Sequence, residues 1–349
     1  MTKHSFRFTR PGALIAALPA VLGFVPEKSL VLVSLEDGRV GAVMRADLSE
    51  DLSENVGRLA EIAANSGAES VVAVVVDADG ALCPMCADEH QRLCNTLTEE
   101  LQSRGVSLYA AHVVDRVEAG GAWHCVDGCG ASGTVDDPTS SPLAAAAVLD
   151  GRRLYGSRAD LRAVIAPADP EQATALGESV RSRALVREED WQTDPDGRGR
   201  RDVEHTISVA QRVLDGISLD NAELAEVACG LTDIAVRDTL YALAVGSVAP
   251  AAEALWALLV RRLPDPWRVE ALVLLAFSAY ARGDGPLAGI ALESALRSDP
   301  GHRMAGMLDV ALQSGMRPEQ IRELTGTGYR LAKRLGVNLP PRREFGRAC

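Results

Sequence analysis

The sequence predicts a mixed α/β N-terminal domain followed by an all-α helical C-terminal domain. Up to residue 166, short continuous apolar runs alternate with helical patterns, which is typical of strands buried under helices. From 203 to 337, apolar residues recur almost throughout at helical spacing. These patterns predict domains at 1–166 and 203–337. We expect the polar stretch 167–202 to be a linker or extended loop, and residues 338–349 to be a tail.

The first predicted elements are a short helix and a β-hairpin. The apolar run 13–35 is broken by Pro19 and Pro26, so it predicts a helix followed by a buried strand instead of a membrane span. Asp37-Gly38 then separates two apolar runs, and this dipeptide is typical of a two-residue hairpin turn. The later elements follow in chain order: a helix at 52–67, a strand at 70–78, a helix at 87–104, a strand at 106–117, and helices at 141–151 and 157–166.

Within the helical domain, residues 269–300 resemble a tetratricopeptide-type hairpin. Small or turn residues stand where that repeat needs close helix packing and a tight turn, with Pro300 taken as the closing proline. They are Ala276, Gly283, Asp284, Ala288, Ala295 and Leu296. Leu272 replaces the usual aromatic residue and only one clear copy is present, so an ordinary αα-hairpin is an equal alternative. Because such helical layers usually bind partners, we expect a protein partner on this domain.

Composition and charge restrict the kinds of partner. Hydrophobic residues make up 47% of the chain and charged residues 24%, as in soluble globular proteins, and the formal net charge is −12. Such an acidic chain lacks the basic surface that nucleic acids need. We therefore predict no nucleic-acid partner and set aside a weak helix-turn-helix pattern at 321–337. We also predict no membrane partner and a cytoplasmic location, where cysteines are reduced or metal-bound.

Four of the seven cysteines form two closely spaced pairs. Cys83 and Cys86 are spaced CxxC, and Cys125 and Cys129 are spaced CxxxC, each at a predicted turn. Paired thiolates on short turns suit tetrahedral Zn²⁺, provided that neighbouring strands bring the two turns together. The sequence therefore predicts a structural zinc site with these four cysteines as ligands. Three residues near these cysteines in the sequence can replace one of them as a ligand: His90, Cys94 and His124.

The CPMC segment also allows an enzymatic interpretation. It lies between a predicted strand and a predicted helix, as does the reactive pair of thioredoxin-like redox proteins, where the helix N-terminus raises the thiolate fraction of the first cysteine. No aromatic residue directly precedes Cys83, and Pro138 is only a loose candidate for the proline that faces such pairs. A metal-dependent hydrolase is a further alternative, which needs an open zinc position. Reduced, unreactive thiols are the remaining alternative.

Other polar residues fit structural roles better than catalytic ones. Asp77 and Asp79 follow a buried strand, but no glycine-rich phosphate loop accompanies them, so a solvated loop is the better interpretation. A lone strand histidine such as His112 is typical of a satisfied core residue. Asp136 and Asp137 directly precede a proline, which is a combination common in turns.

Two blocks of the sequence resemble a known protein family. They are RFTRPGALIAALPAVLGFVPEKSLVLVSL near the start and HVVDRVEAGGAWHCVDGCGASGTVDDPTSSPLAAAAVLDGRRLYGSRADL further on. The family is actinobacterial, especially mycobacterial, and of unknown function, and the resemblance spans most of the chain. It implies a cytoplasmic actinobacterial protein and no particular reaction. From the residues we expect a non-enzymatic protein-interaction module with a structural zinc site, or alternatively an enzyme that uses the CPMC segment.

Overall fold

The computed structural model describes residues 10–36, 39–49, 52–149 and 154–341. The chain forms two compact units. The first comprises the chain up to Leu161 together with Gln313–Gly315, and the second comprises Arg162–Leu312 and the chain from Met316 onward. The first contains a mixed β-sheet with helices, and the second is built of helices. The predicted fold class is therefore confirmed.

The N-terminal unit is organised around a six-stranded sheet in the order β2-β1-β3-β4-β5-β6. The strands are β1 (Ser29–Glu36), β2 (Arg39–Asp47), β3 (Ser70–Val76), β4 (Ser107–Val114), β5 (Ala122–Cys125) and β6 (Ser132–Thr134). β3 and β4 are parallel, and the other neighbouring pairs are antiparallel. β1 and β2 pair as the predicted hairpin requires, although its Asp37-Gly38 turn lies outside the described residues.

Helices cover this sheet because both faces of its central strands are apolar. The helices of this part of the chain are α1 (Pro11–Leu22), α2 (Leu52–Asn65), α3 (Pro84–Gln102), α4 (Pro142–Leu149) and α5 (Arg158–Ala163), with a 3₁₀ turn at Pro138–Ser140. On one face, Val71 and Val75 of β3 form a core with residues of α2 and α3 such as Leu97. The intervening Val72 and Val74 are buried on the other face, as a continuous apolar strand predicts.

The apolar run at 13–35 forms a helix and then a strand, as predicted. α1 ends at Leu22, Gly23 follows in the left-handed conformation, and β1 begins at Ser29. Within the described ranges, none of the helices is both long and apolar enough to cross a membrane.

The C-terminal part of the chain folds into a series of helices. They are α6 (Pro170–Thr193), α7 (Pro195–Leu214), α8 (Asn221–Leu231), α9 (Ile234–Leu240), α10 (Ala249–Arg262), α11 (Arg268–Arg282), α12 (Gly285–Ser298), α13 (Arg303–Gln313) and α14 (Pro318–Leu335), with a 3₁₀ turn at Tyr241–Val245. α11 and α12 form the predicted hairpin. Gly283 ends α11 with a φ of 90°, and the Asp284 side chain caps α12 by accepting from the Leu287 N–H. The tetratricopeptide likeness of this hairpin stays a resemblance.

The expectation of a linker or extended loop at 167–202 is wrong, because α6 and the start of α7 occupy this segment. Pro170 and Pro195 stand at first helical positions, where proline needs no partner for a backbone N–H and favours the start of a helix. The charged side chains pair both within α7 and between α6 and α7. Arg187 bonds the Asp202 carboxylate, and the Nε of Arg198 lies 3.2 Å from it. The polarity that indicated a loop therefore belongs to a buried ion-pair network.

Residues 321–337 do not form a helix-turn-helix, which agrees with setting that pattern aside. α14 continues through Gly326 and Gly328 to Leu335. Packing explains Gly328, since a Cβ there would lie 2.9 Å from both the Ala242 Cβ and the Thr239 carbonyl oxygen. The predicted tail is described only as far as residue 341.

Candidate metal centre and dithiol

The first candidate site is the hairpin between β5 and β6. β5 runs antiparallel to β4, and this register places Cys125 directly opposite His112. The connecting turn contains Gly128 and Gly130, both with positive φ, which glycine adopts without strain. The Asp127 side chain accepts a hydrogen bond from the Cys129 N–H at 3.0 Å. The turn therefore folds back on itself after β5.

Three potential metal ligands come together on this hairpin. The sulfur atoms of Cys125 and Cys129 and a carboxylate oxygen of Asp127 all lie within 4.8 Å of one another. The Nδ1 atom of His112 lies 3.3 Å from the Cys125 sulfur. The thiolate and imidazole ligands of one tetrahedral Zn²⁺ are about 3.5 Å apart, given metal–ligand bonds of about 2.3 and 2.0 Å. The hairpin therefore carries a group of side chains that can hold a metal ion, and His112 lies beside it.

Burial and negative neighbours set the protonation of this group. Burial, with added contributions from Cys129 and Asp127, raises the pKa of Cys125 to about 11. Burial also lowers the pKa of His112, so its imidazole is neutral at neutral pH and keeps a lone pair for a metal. Hydrogen bonds from Cys129 lower the pKa of Asp127, which is therefore ionised. A divalent cation would displace the thiol protons and offset the repulsion among these ligands.

The second candidate site is the CPMC segment at the start of α3. Cys83 is the N-cap residue, with extended backbone angles, and Cys86 lies in the first helical turn. The Cys86 N–H, the Cys86 thiol and the Met85 N–H are polar neighbours of the Cys83 sulfur, and they lower the pKa of Cys83. The pKa of Cys86 is raised, first by its interaction with the Cys83 side chain and second by burial. Both thiols are free, but they are chemically different.

The four predicted zinc ligands form two separate pairs, Cys83 with Cys86 and Cys125 with Cys129. Val113 packs into the core that includes α3 residues, so its neighbour His112 and the opposing Cys125 project from the other face of the sheet. Cys83 and Cys86 begin α3, which covers the first face. Among the described residues, only the second cysteine pair belongs to a group that can hold an ion. The four-cysteine zinc site stays a prediction.

The three substitute ligands lie in other surroundings. Cys94 is buried in the core, and burial raises its pKa to about 11. The Nε2 of His90 lies 3.1 Å from the Asp77 carboxylate. His124 precedes Cys125 on β5, so its side chain points to the opposite face. In the described part of the chain, none of the three belongs to the hairpin group.

A cavity of about 670 Å³ lies beside the CPMC segment. Cys86, Asp77 and His90 all line this cavity. Lys28 and Asp79, which form an exposed ion pair at 2.9 Å, line it as well. The sequence indicated a solvated loop for both aspartates. Asp79 fits that expectation, whereas Asp77 is paired with a buried histidine next to a thiol.

Asp136 and Asp137 have structural roles, as the turn pattern indicated. The Asp137 side chain accepts from the Thr139 N–H at 2.9 Å and so caps the 3₁₀ turn. Asp136 forms an ion pair with Arg10 at 2.8 Å. Pro138 is the first residue of the same turn.

The fold and these sites define a protein with a cysteine-bearing α/β unit and a helical unit. The chain belongs to the family described as Domain of unknown function (DUF4192), whose family model matches residues 11–319. This match confirms the resemblance to a family of unknown function. No curated protein and no solved structure matches the chain.

Proposed function

We propose that this protein binds one zinc ion at the β5–β6 hairpin, through Cys125, Asp127, Cys129 and His112. The observation that carries the proposal is the convergence of three ligand atoms within 4.8 Å, with the His112 nitrogen 3.3 Å from the Cys125 sulfur. Sulfur and nitrogen donors favour zinc, whereas Ca²⁺ and Mg²⁺ prefer oxygen donors. Four protein ligands close the tetrahedron, which is typical of a structural site.

The ion would stabilise the edge of the sheet. β5 has four residues and β6 has three, and all three residues of β6 are exposed. So small a hairpin buries little apolar surface, and short strand pairs are marginal in water. A metal bond to His112 of β4 would crosslink the hairpin to the neighbouring strand. The Trp123 ring lies edge-on to the imidazole at 5.2 Å and helps to orient it.

Metal analysis of protein purified without chelator tests the proposal. We expect one zinc ion per chain. Cys129→Ser, Asp127→Asn and His112→Gln are each expected to weaken the zinc affinity at least about tenfold, which is the lower end of the effect of altering even an outer-shell partner. Competition with a chromophoric chelator measures the affinity. Substitution with Co²⁺ adds a spectrum whose thiolate charge-transfer band should weaken in Cys129→Ser.

Cys83→Ser and Cys86→Ser are the matched controls, because they remove thiols outside the hairpin. The proposal expects zinc affinity to be unchanged in both. If they lose zinc as Cys129→Ser does, the ion is held by the four predicted cysteines and the hairpin site is wrong. Protein without zinc that also fails to bind added Zn²⁺ would contradict both sites.

The protein-partner role of the helical unit stays a prediction from the sequence. Exposed apolar side chains on α13, Met307 and Val310, lie three residues apart and therefore on one side of the helix. The zinc proposal does not depend on this role.

A further inference from the structure

We propose that Cys83 and Cys86 form a redox-active dithiol that reduces accessible disulfides by thiol–disulfide exchange. The substrate is an accessible disulfide, and a protein and a small molecule can both supply one. The proposal is independent of the zinc site, because it concerns the cysteine pair at the start of α3. It goes beyond metal binding in assigning a reaction to the α/β unit.

The start of α3 places the two cysteines close together in the chain, beside backbone N–H groups that are free at a helix N-terminus. The N–H groups at the start of a helix lack partners within the helix. Here the Met85 and Cys86 N–H groups lie at the helix start that Cys83 precedes, and their positive ends lower the pKa of Cys83. Cys83 is the N-cap residue and Cys86 lies in the first helical turn, so the helix start holds the two cysteines of a possible disulfide near each other. The Cys83 N–H is fixed by the Gly80 carbonyl at 3.0 Å.

These contacts give the two thiols different parts in the exchange. The lowered pKa of Cys83 gives this residue a larger thiolate fraction at neutral pH, and the thiolate is the nucleophile. The pKa of Cys86 is raised first of all by its bond to Cys83, so Cys86 keeps its proton while Cys83 carries the charge. When Cys83 forms a mixed disulfide with the substrate, it no longer carries a negative charge, and the main cause of the raised pKa of Cys86 is removed. Cys86 can then ionise and attack.

A buried carboxylate–imidazole pair lies next to Cys86 and can accept its proton. His90 is only 7% exposed and its Nε2 lies 3.1 Å from the Asp77 Oδ2. Gly80 permits the close approach, since a Cβ there would lie 2.0 Å from the Asp77 Oδ2 and 3.1 Å from the Cys86 Cβ. Cys86, Asp77 and His90 line the same cavity of about 670 Å³. Asp77 therefore acts on the second step of the exchange.

The surface around Cys83 is apolar and open. Leu82 is 84% exposed and Met85 is 78% exposed, and both are within two residues of the nucleophile. Large apolar side chains so exposed are favourable contacts for an unfolded or extended peptide segment. They favour a protein as the source of the disulfide over a small polar molecule.

The reaction conserves atoms and electrons. The Cys83 thiolate attacks one sulfur of the substrate disulfide, the Cys83–substrate S–S bond forms, and the other substrate sulfur leaves as a thiolate and takes a proton. Cys86 gives its proton to the Asp77–His90 pair and attacks the Cys83 sulfur. The second substrate thiolate leaves and is protonated. Two electrons have then passed from the dithiol to the substrate, and a dithiol reductant restores Cys83 and Cys86 by the same steps in reverse.

Trapping of the mixed disulfide tests this order of events. Reduced protein is mixed with insulin, and the products are separated without reductant. Cys86→Ser should accumulate a covalent complex with insulin chains through Cys83. Cys83→Ser and the double variant should form none. A complex of equal yield in Cys83→Ser, or none in any variant, would overturn the proposal.

Turnover with dithiothreitol as the dithiol reductant distinguishes the two substrate sources. We expect acceleration of insulin reduction that is lost in Cys83→Ser. Leu82→Ser with Met85→Ser should slow insulin reduction and leave the reduction of bis(2-hydroxyethyl) disulfide unchanged. Equal slowing of both substrates would contradict the role of the apolar surface. Absence of acceleration with both substrates would contradict the proposal.

The pH dependence of alkylation distinguishes a reactive Cys83 from one that has only a structural role, because a structural role does not change the pH at which the thiol reacts. Iodoacetamide labelling of Cys83, followed by mass spectrometry, should reach half of its maximal rate at a lower pH in the folded protein than in urea. Asp77→Asn should leave this profile unchanged but lengthen the lifetime of the mixed disulfide. Identical profiles in the folded and unfolded protein would contradict an activated Cys83. The zinc content of these variants, measured in parallel, separates failure of this proposal from failure of the zinc site.

Discussion

At the scale of single residues, the buried ion pairs of the helical unit are sensitive positions. Asp202 on α7 is 3% exposed, bonds Arg187 and lies 3.2 Å from the Nε of Arg198. Asp202→Asn removes the carboxylate charge that two buried guanidinium groups share. Breaking a buried pair in this way costs about 3 to 5 kcal/mol, so we expect a loss of about 3 kcal/mol in the free energy of unfolding. Urea denaturation at pH 7 measures this loss.

Glu204→Gln on the same helix is the matched control. Glu204 forms an exposed pair with Arg200 at 2.9 Å, and exposed pairs contribute less than about 1 kcal/mol. The control should therefore unfold almost as the native protein does. Equal losses in the two variants would mean that burial does not decide the contribution of these charges.

His112 marks how much of the candidate metal site the sequence could reveal. The CxxxC spacing and its two glycines were enough to indicate a turn with thiolate ligands. His112 precedes Cys125 by 13 residues, and its place beside the sulfur depends on the β4–β5 register. A lone strand histidine has no spacing that would distinguish it from a core residue. His112 can be recognised as a candidate ligand only when the pairing of β4 with β5 is known.

At the scale of elements, α6 and α7 show why polarity is a poor guide to loops. Their segment is rich in arginine, glutamate and aspartate, and the sequence therefore indicated an exposed linker. Arginine and glutamate are good helix formers, and Pro170 and Pro195 start helices when they stand at the first position. What the pattern lacked was the information that Arg187 and Asp202 meet across two helices. Pairing across elements is not encoded in local periodicity.

Two glycines of the helical unit should respond oppositely to alanine. Gly283 ends α11 with a φ of 90°, where a Cβ is strained, so Gly283→Ala should lower the free energy of unfolding by about 1 to 2 kcal/mol. Gly306 lies within α13, and a Cβ there would meet no atom within 4 Å. Gly306→Ala should raise the free energy of unfolding by about 0.5 to 1 kcal/mol. Urea denaturation of both variants measures the two effects, and a loss in Gly306→Ala would contradict the helical assignment of α13.

At the scale of the whole molecule, the sequence predicts the two kinds of unit but not the direction of every strand. The strands at 70 and 106 are indeed neighbours, as bringing the cysteine turns together requires. β5, however, is only four residues long and carries no apolar run, so it was not predicted. It runs antiparallel to β4 and presents Cys125 on the face away from α3. The placement of Cys125 on the face opposite α3 therefore depends on this short strand.

Because each unit has its own core, we expect thermal unfolding to report on them separately. Leu97 is fully buried in the N-terminal core, so Leu97→Ala should cost about 2 to 5 kcal/mol there. Asp202→Asn should act on the helical unit. For units of about 150 to 200 residues, a loss of about 3 kcal/mol lowers the melting temperature by roughly 6 to 12 °C. Differential scanning calorimetry should therefore resolve two transitions, one lowered by Leu97→Ala and the other by Asp202→Asn. Equal shifts of both transitions by each variant, or a single transition throughout, would mean that the two units unfold as one cooperative body.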